Sequence, residues 1–129
     1  MERNTEWRNG QSVAVDLAAG AKTFLGTLVV LDAGYAKAGF ADPAVVCVGI
    51  AKTTVDNTDG ADGDVKVVAE KGTYKLDNAT VGDAITRVDI GKPCFVLDAT
   101  TVAKTDGGAA RAQAGIVFAV DGNSVWVTI

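Results

Sequence analysis

At 129 residues the chain is long enough for one domain with its own core and too short for two cores and a linker. Apolar residues make up 48% of it and aromatic ones only 6%, so Val, Ala, Ile and Leu must build the core, and a formal net charge of −4 leaves no basic face for a nucleic-acid backbone. No apolar run approaches the ~20 residues of a membrane-spanning helix, and the first residues lack the apolar stretch of a signal peptide, which predicts a soluble protein made in the cytoplasm.

Residues 1–11 are polar and charged and hold a single large apolar side chain, Trp7, flanked by Arg3 and Arg8. They read as an extended N-terminal arm in front of one β domain, residues 12–129. Such an arm is either a solvated tail, as most termini are, or a grip on a partner, because Trp and Arg are enriched at binding hot spots. From Ser12, Val13, Val15 and Leu17 alternate with Ala14 and Asp16, the pattern of a half-buried strand. A second strand is expected over residues 24–31. Asp32-Ala33-Gly34 then turns the chain into a short strand at 35–38, and Pro43 fixes a loop.

The run Val45-Val46-Cys47-Val48-Gly49-Ile50-Ala51 is the most continuously apolar and predicts a central strand covered on both faces. Strands at 65–69 and 73–76 follow, separated by Glu70-Lys71-Gly72, a connection of hairpin length. Residues 81–88 carry modest helical character, weakened by Gly82 and β-branched neighbours, so one short helix is the most the region supports. Later strands are expected at 94–97, 101–104, 113–120 and 124–129, with Asp106-Gly107-Gly108 and Asp121-Gly122-Asn123 as turns. Eight to ten short strands at this spacing predict an all-β fold, a small antiparallel barrel or sandwich.

Chemistry is hard to find in this chain. It has no histidine, and Cys47 and Cys94 each lie inside an apolar run, where a thiol acts as a small hydrophobe. A disulfide between adjacent strands is disfavoured in a reducing compartment. The acidic stretch Asp56-Asn57-Thr58-Asp59-Gly60-Ala61-Asp62-Gly63-Asp64 invites a calcium reading, and a register starting at Asp59 even places Glu70 at the last ligand position. That register then fails at Ala61, Gly63 and Asp64, whereas turn chemistry explains the same composition without a metal. Gly91-Lys92-Pro93 lacks the hydroxyl and the spacing of a phosphate loop. Only Ser12 and Ser124 offer a serine nucleophile, with no histidine as base. The expectation is a non-enzymatic protein without cofactor or metal. In the terminal strand, alternation puts Val125, Val127 and Ile129 on one face and Trp126 with Thr128 on the other. An outward indole calls for cover, by a subunit or shell contact or by a loop or the arm.

The order of short motifs resembles the capsid cement (head decoration) proteins of tailed bacteriophages. It runs through Arg3-Asn4-Thr5, Ala18-Ala19-Gly20, Gly26-Thr27-Leu28-Val29, Val48-Gly49-Ile50-Ala51, Val55-Asp56-Asn57, Gly60-Ala61, Ile90-Gly91-Lys92 and Val125-Trp126-Val127. The resemblance implies a β-tulip-like, oligomeric virion protein, a homotrimer in preference to a dimer, on the outer surface of the capsid after assembly in the host cytoplasm. Its partner would be the major capsid protein, with Arg3, Trp7, Arg8 and Trp126 as capsid or intersubunit contacts. A soluble ligand-binding β-barrel and another virion structural module are the alternatives.

Overall fold

The computed structural model describes residues 1–6 and 10–129. Its strands are β1 (Ser12–Asp16), β2 (Lys22–Thr23), β3 (Leu28–Asp32), β4 (Tyr35–Ala38), β5 (Val46–Ala51), β6 (Val55–Asp56), β7 (Lys66–Glu70), β8 (Thr73–Asn78), β9 (Pro93–Val96), β10 (Thr101–Ala103), β11 (Gln113–Asp121) and β12 (Ser124–Thr128). Helical structure among the described residues is one 3-10 turn at Arg87–Asp89, so the all-β expectation holds.

Two lobes divide the strands. The first half forms an antiparallel sheet in the order β1-β7-β5-β3-β4, with a separate β2-β6 ribbon. The two edges of that sheet nearly meet: Leu17 and Ala36 form a parallel bridge, and the Ala18 N–H donates to the Ala36 carbonyl at 3.0 Å. The second half is a closed barrel, β10-β8-β12-β11-β9, antiparallel except where β10 runs parallel to β8.

Pleating distributes one set of valines between two cores. Val29, Ala51, Val67 and Ala69 point inside the curled sheet with Leu17 and Ala36. Their alternates Leu28, Val30 and Ile50 point out and join the barrel residues Leu76, Val96, Val102, Val117, Val125 and Val127. That shared core holds the lobes together. Each fully buried Val or Leu in it contributes about 1.5–3 kcal/mol over an exposed one.

Three expectations need correction. Glu70-Lys71-Gly72 does not close a hairpin: β7 pairs with β1 and β5, β8 pairs with β12 and β10, and the three residues carry the chain from sheet to barrel. This crossover is pinned on both sides, by the Lys71 N–H to the Gln11 carbonyl at 2.6 Å and by the Ile129 N–H to the Gly72 carbonyl at 2.9 Å. Residues 24–27 are a turn rather than the start of β3. β5 is central but not covered throughout, since Val46 is exposed while Ile50 and Ala51 are buried.

One buried group is out of balance. Thr23 is fully buried and, among the described residues, its hydroxyl has no hydrogen-bond partner. Thr23→Val keeps the shape and removes the orphaned polar atom, and is expected to stabilise the fold by about 1 kcal/mol. A chemical denaturation midpoint that falls instead of rising would refute this.

Candidate functional site

The acidic stretch bonds to its own backbone and to the chain after β1. Asp56 accepts from the Thr58 N–H at 2.8 Å and from its hydroxyl, which lowers its carboxyl below the ordinary value. Asp62 accepts from the Ala19 N–H at 2.7 Å and Asp64 from the Ala61 N–H at 2.8 Å. At the centre, Asn57 is 3% exposed and donates its amide to the carbonyls of Ala18 and Ala61, both at 2.9 Å. Asp56 and Asp64 thus close local turns, while Asp62 ties the loop to the chain after β1. Among the described residues, no three His, Cys, Asp or Glu side chains converge as a metal site.

The thiols are free and quiet. Burial pushes Cys94 up to about 12 and raises Cys47, so both stay protonated at neutral pH.

A third polar cluster clamps two loops at one end of the barrel. Asp83 pairs with Arg111 and accepts from Thr105, hydroxyl at 2.7 Å and N–H at 3.0 Å, while Arg111 also donates to the Thr105 carbonyl at 3.0 Å. Desolvation works to raise the Asp83 carboxyl, yet the bonds from Arg111 and Thr105 outweigh it and hold the group below its ordinary value. A carboxyl lowered in the folded state stabilises above its unfolded value and loses that contribution as pH falls through the folded one. Asp83→Asn should therefore cost about 1–2 kcal/mol at neutral pH, and the gap to wild type should shrink in acid. Urea titrations at a series of pH values read this directly; a pH-independent gap would exclude the ionic origin.

What remains for function is apolar surface: among the described residues, Tyr35, Val46, Val68, Val81 and Val88 stand exposed on separate elements, while the exposed Phe, Trp, Leu and Ile side chains gather in two places. On the barrel, Val125 and Val127 are buried and Ile129 packs on the core, leaving Trp126 outside at 36% exposure, on the face its alternation predicts. The neighbouring strand adds Ile116 at 37% and Phe118 at 64%. Between Val117 and Ala119 the β11–β12 register shifts, so Phe118 sits in a bulge, a device that re-aims a side chain. Next to them runs the 90–92 segment, tied by the Gly91 N–H to the Val117 carbonyl at 2.8 Å and the Val117 N–H to the Lys92 carbonyl at 2.9 Å, with Ile90 exposed. Lys75, the cross-strand partner of Trp126, reaches Asp121 at 3.7 Å.

On the sheet lobe, Phe24 and Leu25 stand 52% and 63% exposed at the tip of the β2–β3 turn. The turn is rigid. The Thr27 hydroxyl donates to the Phe24 carbonyl at 2.8 Å, the Leu25 N–H to the Thr54 hydroxyl at 3.0 Å and the Gly26 N–H to the Ala51 carbonyl at 2.9 Å. Gly26, with φ +84°, supplies the left-handed position. Lys22 lies 4.9 Å from the Phe24 ring centroid.

Of the contact residues expected from the sequence, Trp126 lies on the barrel wall and Arg3 in an exposed stretch without regular structure. Trp7 and Arg8 lie outside the described residues. Ile116, Phe118, Phe24 and Leu25 were not anticipated. In residues 114–120 both alternating sets are apolar, so the period alone does not say which set faces water.

No protein-family model matches the chain, and neither a curated protein nor a solved structure matches it significantly. The two exposed surfaces therefore stand as the starting point for function.

Proposed function

We propose that the protein is a structural virion component: a capsid cement protein that binds the outside of a phage head and stabilises contacts between major capsid protein subunits, with no catalytic role. One observation supports this reading above the rest. Large apolar side chains stand exposed on both lobes, on the barrel wall around Trp126 and at the Phe24–Leu25 turn of the sheet lobe, so one molecule can hold two partners at once. Modest affinity at each face, repeated at many equivalent sites, raises the cost of opening any seam.

In this reading the turn and the arm with Arg3 face the major capsid protein, and the copies associate with one another as a trimer or dimer. The acidic charge sits outside the shell, away from packaged DNA. A ligand-binding barrel is less well supported, because the barrel interior is filled by Leu76, Val96, Val102, Val117, Val125 and Val127. The depression lined by Asn78, Thr80, Val81 and Asn123, about 330 Å³, lies outside that interior.

Co-sedimentation with heads stripped of decoration protein tests the proposal. The full chain should bind saturably, and Phe24→Asp combined with Leu25→Asp should weaken binding by roughly tenfold or more. Failure of the full chain to bind any head would shift the reading to the ligand-binding barrel.

A further inference from the structure

We infer that the barrel wall is an interface between two copies of this chain, related by a two-fold axis. The inference rests on the reading of the protein as a self-associating structural component and names the face that does it. Area is the first reason. Ile90, Ile116, Phe118 and Trp126, exposed at 48%, 37%, 64% and 36%, leave on the order of 400 Å² of mostly apolar surface in water, the size of the largest such patch on a typical monomer. A standard interface buries roughly 800 Å² per partner, somewhat more than half of it apolar. One wall therefore supplies about the apolar area that one side of a stable dimer needs.

Charge is the second reason. Two copies each carrying −4 repel unless they meet across a face free of the excess acid. The wall is such a face. Asp121 is paired with Lys75 at 3.7 Å, Lys92 belongs to the segment bonded to Val117, and Thr73 and Thr128 satisfy one another with their hydroxyls 2.9 Å apart. The charges beside Trp126, Lys75 and Asp121, offset one another and leave no excess acid.

Shape fixes the symmetry. A head-to-tail contact needs a second surface that complements the wall. Phe24 with Leu25 is a narrow turn too small to cover a strand face, and the exposed Tyr35, Val46, Val68, Val81 and Val88 are spread over separate elements. The wall's best complement is itself, with Phe118 and Trp126 of one copy against the Trp126 and Phe118 of the other. That arrangement makes a dimer and displaces the trimer suggested by resemblance.

Sedimentation velocity of the full chain from low micromolar to hundred-micromolar concentration decides the matter. The wild type should sediment as a dimer, and Phe118→Glu, a change at an exposed position, should weaken association by roughly tenfold or more while leaving the far-ultraviolet dichroism and melting profile of the monomer unchanged. If Phe118→Glu misfolds, Trp126→Lys gives the same readout. A wild type that stays monomeric, a trimer, or a dimer indifferent to both variants would overturn the interface. Head binding is scored separately: a monomer that binds heads overturns this inference alone, and a dimer that binds none overturns the cement reading while leaving the two-fold wall in place.

Discussion

Gly49→Ala is expected to destabilise the fold by about 3–5 kcal/mol, a large part of the 5–15 kcal/mol that holds an ordinary domain together. Two causes act at once. Gly49 has φ +142°, where an L side chain is strained, and a methyl group there would sit 2.6 Å from the Glu70 carbonyl oxygen and 2.8 Å from its carbon. The obstacle is backbone of the adjacent strand β7, so no rotamer change relieves it, and strain and overpacking each cost roughly 1–3 kcal/mol. The close approach has a structural origin. Val29 pairs with Gly49 but Val30 with Cys47, leaving Val48 as an extra residue that bends β5 towards β7. Gly34→Ala is the control: its φ is +88°, yet a methyl group there meets nothing within 4 Å. It should cost about 1 kcal/mol. Equal losses in urea unfolding for the two variants would show that the contact with Glu70 is not the constraint.

The same bulge marks where sequence patterning stops being informative. Strand positions and type follow from runs such as Val13-Ala14-Val15 and Val125-Trp126-Val127, and their inward and outward faces agree with the alternation. Partnership between strands does not follow. Glu70-Lys71-Gly72 has the length and composition of a hairpin, but whether two strands pair across a short link depends on where their side chains find cover. Val67 and Ala69 fill the curled sheet while Leu76 fills the barrel. Two-residue strands such as Lys22–Thr23 carry no period at all, and they are held by neighbours far away in the chain. For the exposed surfaces the limit is different. Trp126 announced itself by falling out of phase with three apolar neighbours. Phe118 did not, because Ile116-Val117-Phe118 is apolar on both faces, and Phe24-Leu25 reads as the start of a strand until Gly26 and the Thr54 hydroxyl are seen to hold it as a turn.

Asn57 provides the second large effect, and the most discriminating one. Its amide ties Ala18 to Ala61 and so fastens the acidic loop to the chain after β1, while its backbone N–H reaches the Ala21 carbonyl at 2.8 Å and its carbonyl accepts from Gly20 and Gly60 at 3.0 and 3.1 Å. Asn57→Ala removes two well-made side-chain bonds from a buried site, at about 2–3 kcal/mol. Gly60→Ala should cost a similar amount by a different route: its methyl group would fall 1.9 Å from the Asn57 side-chain oxygen and displace the amide. The φ of Gly60 is ordinary, so no backbone strain contributes. Once Asn57 is alanine the obstruction is gone, and the nearest remaining neighbour is the Asp64 carboxylate at 3.1 Å, which can yield by a few tenths of an ångström. The double variant should then be no less stable than either single one, a coupling of about 2 kcal/mol in a double-mutant cycle. Additive losses would mean that Gly60 and Asn57 act independently and that the loop is held by its carboxylates. Strong coupling would place the hold on one amide, with Asp56 and Asp64 closing turns around it and Asp62 adding a bond to Ala19.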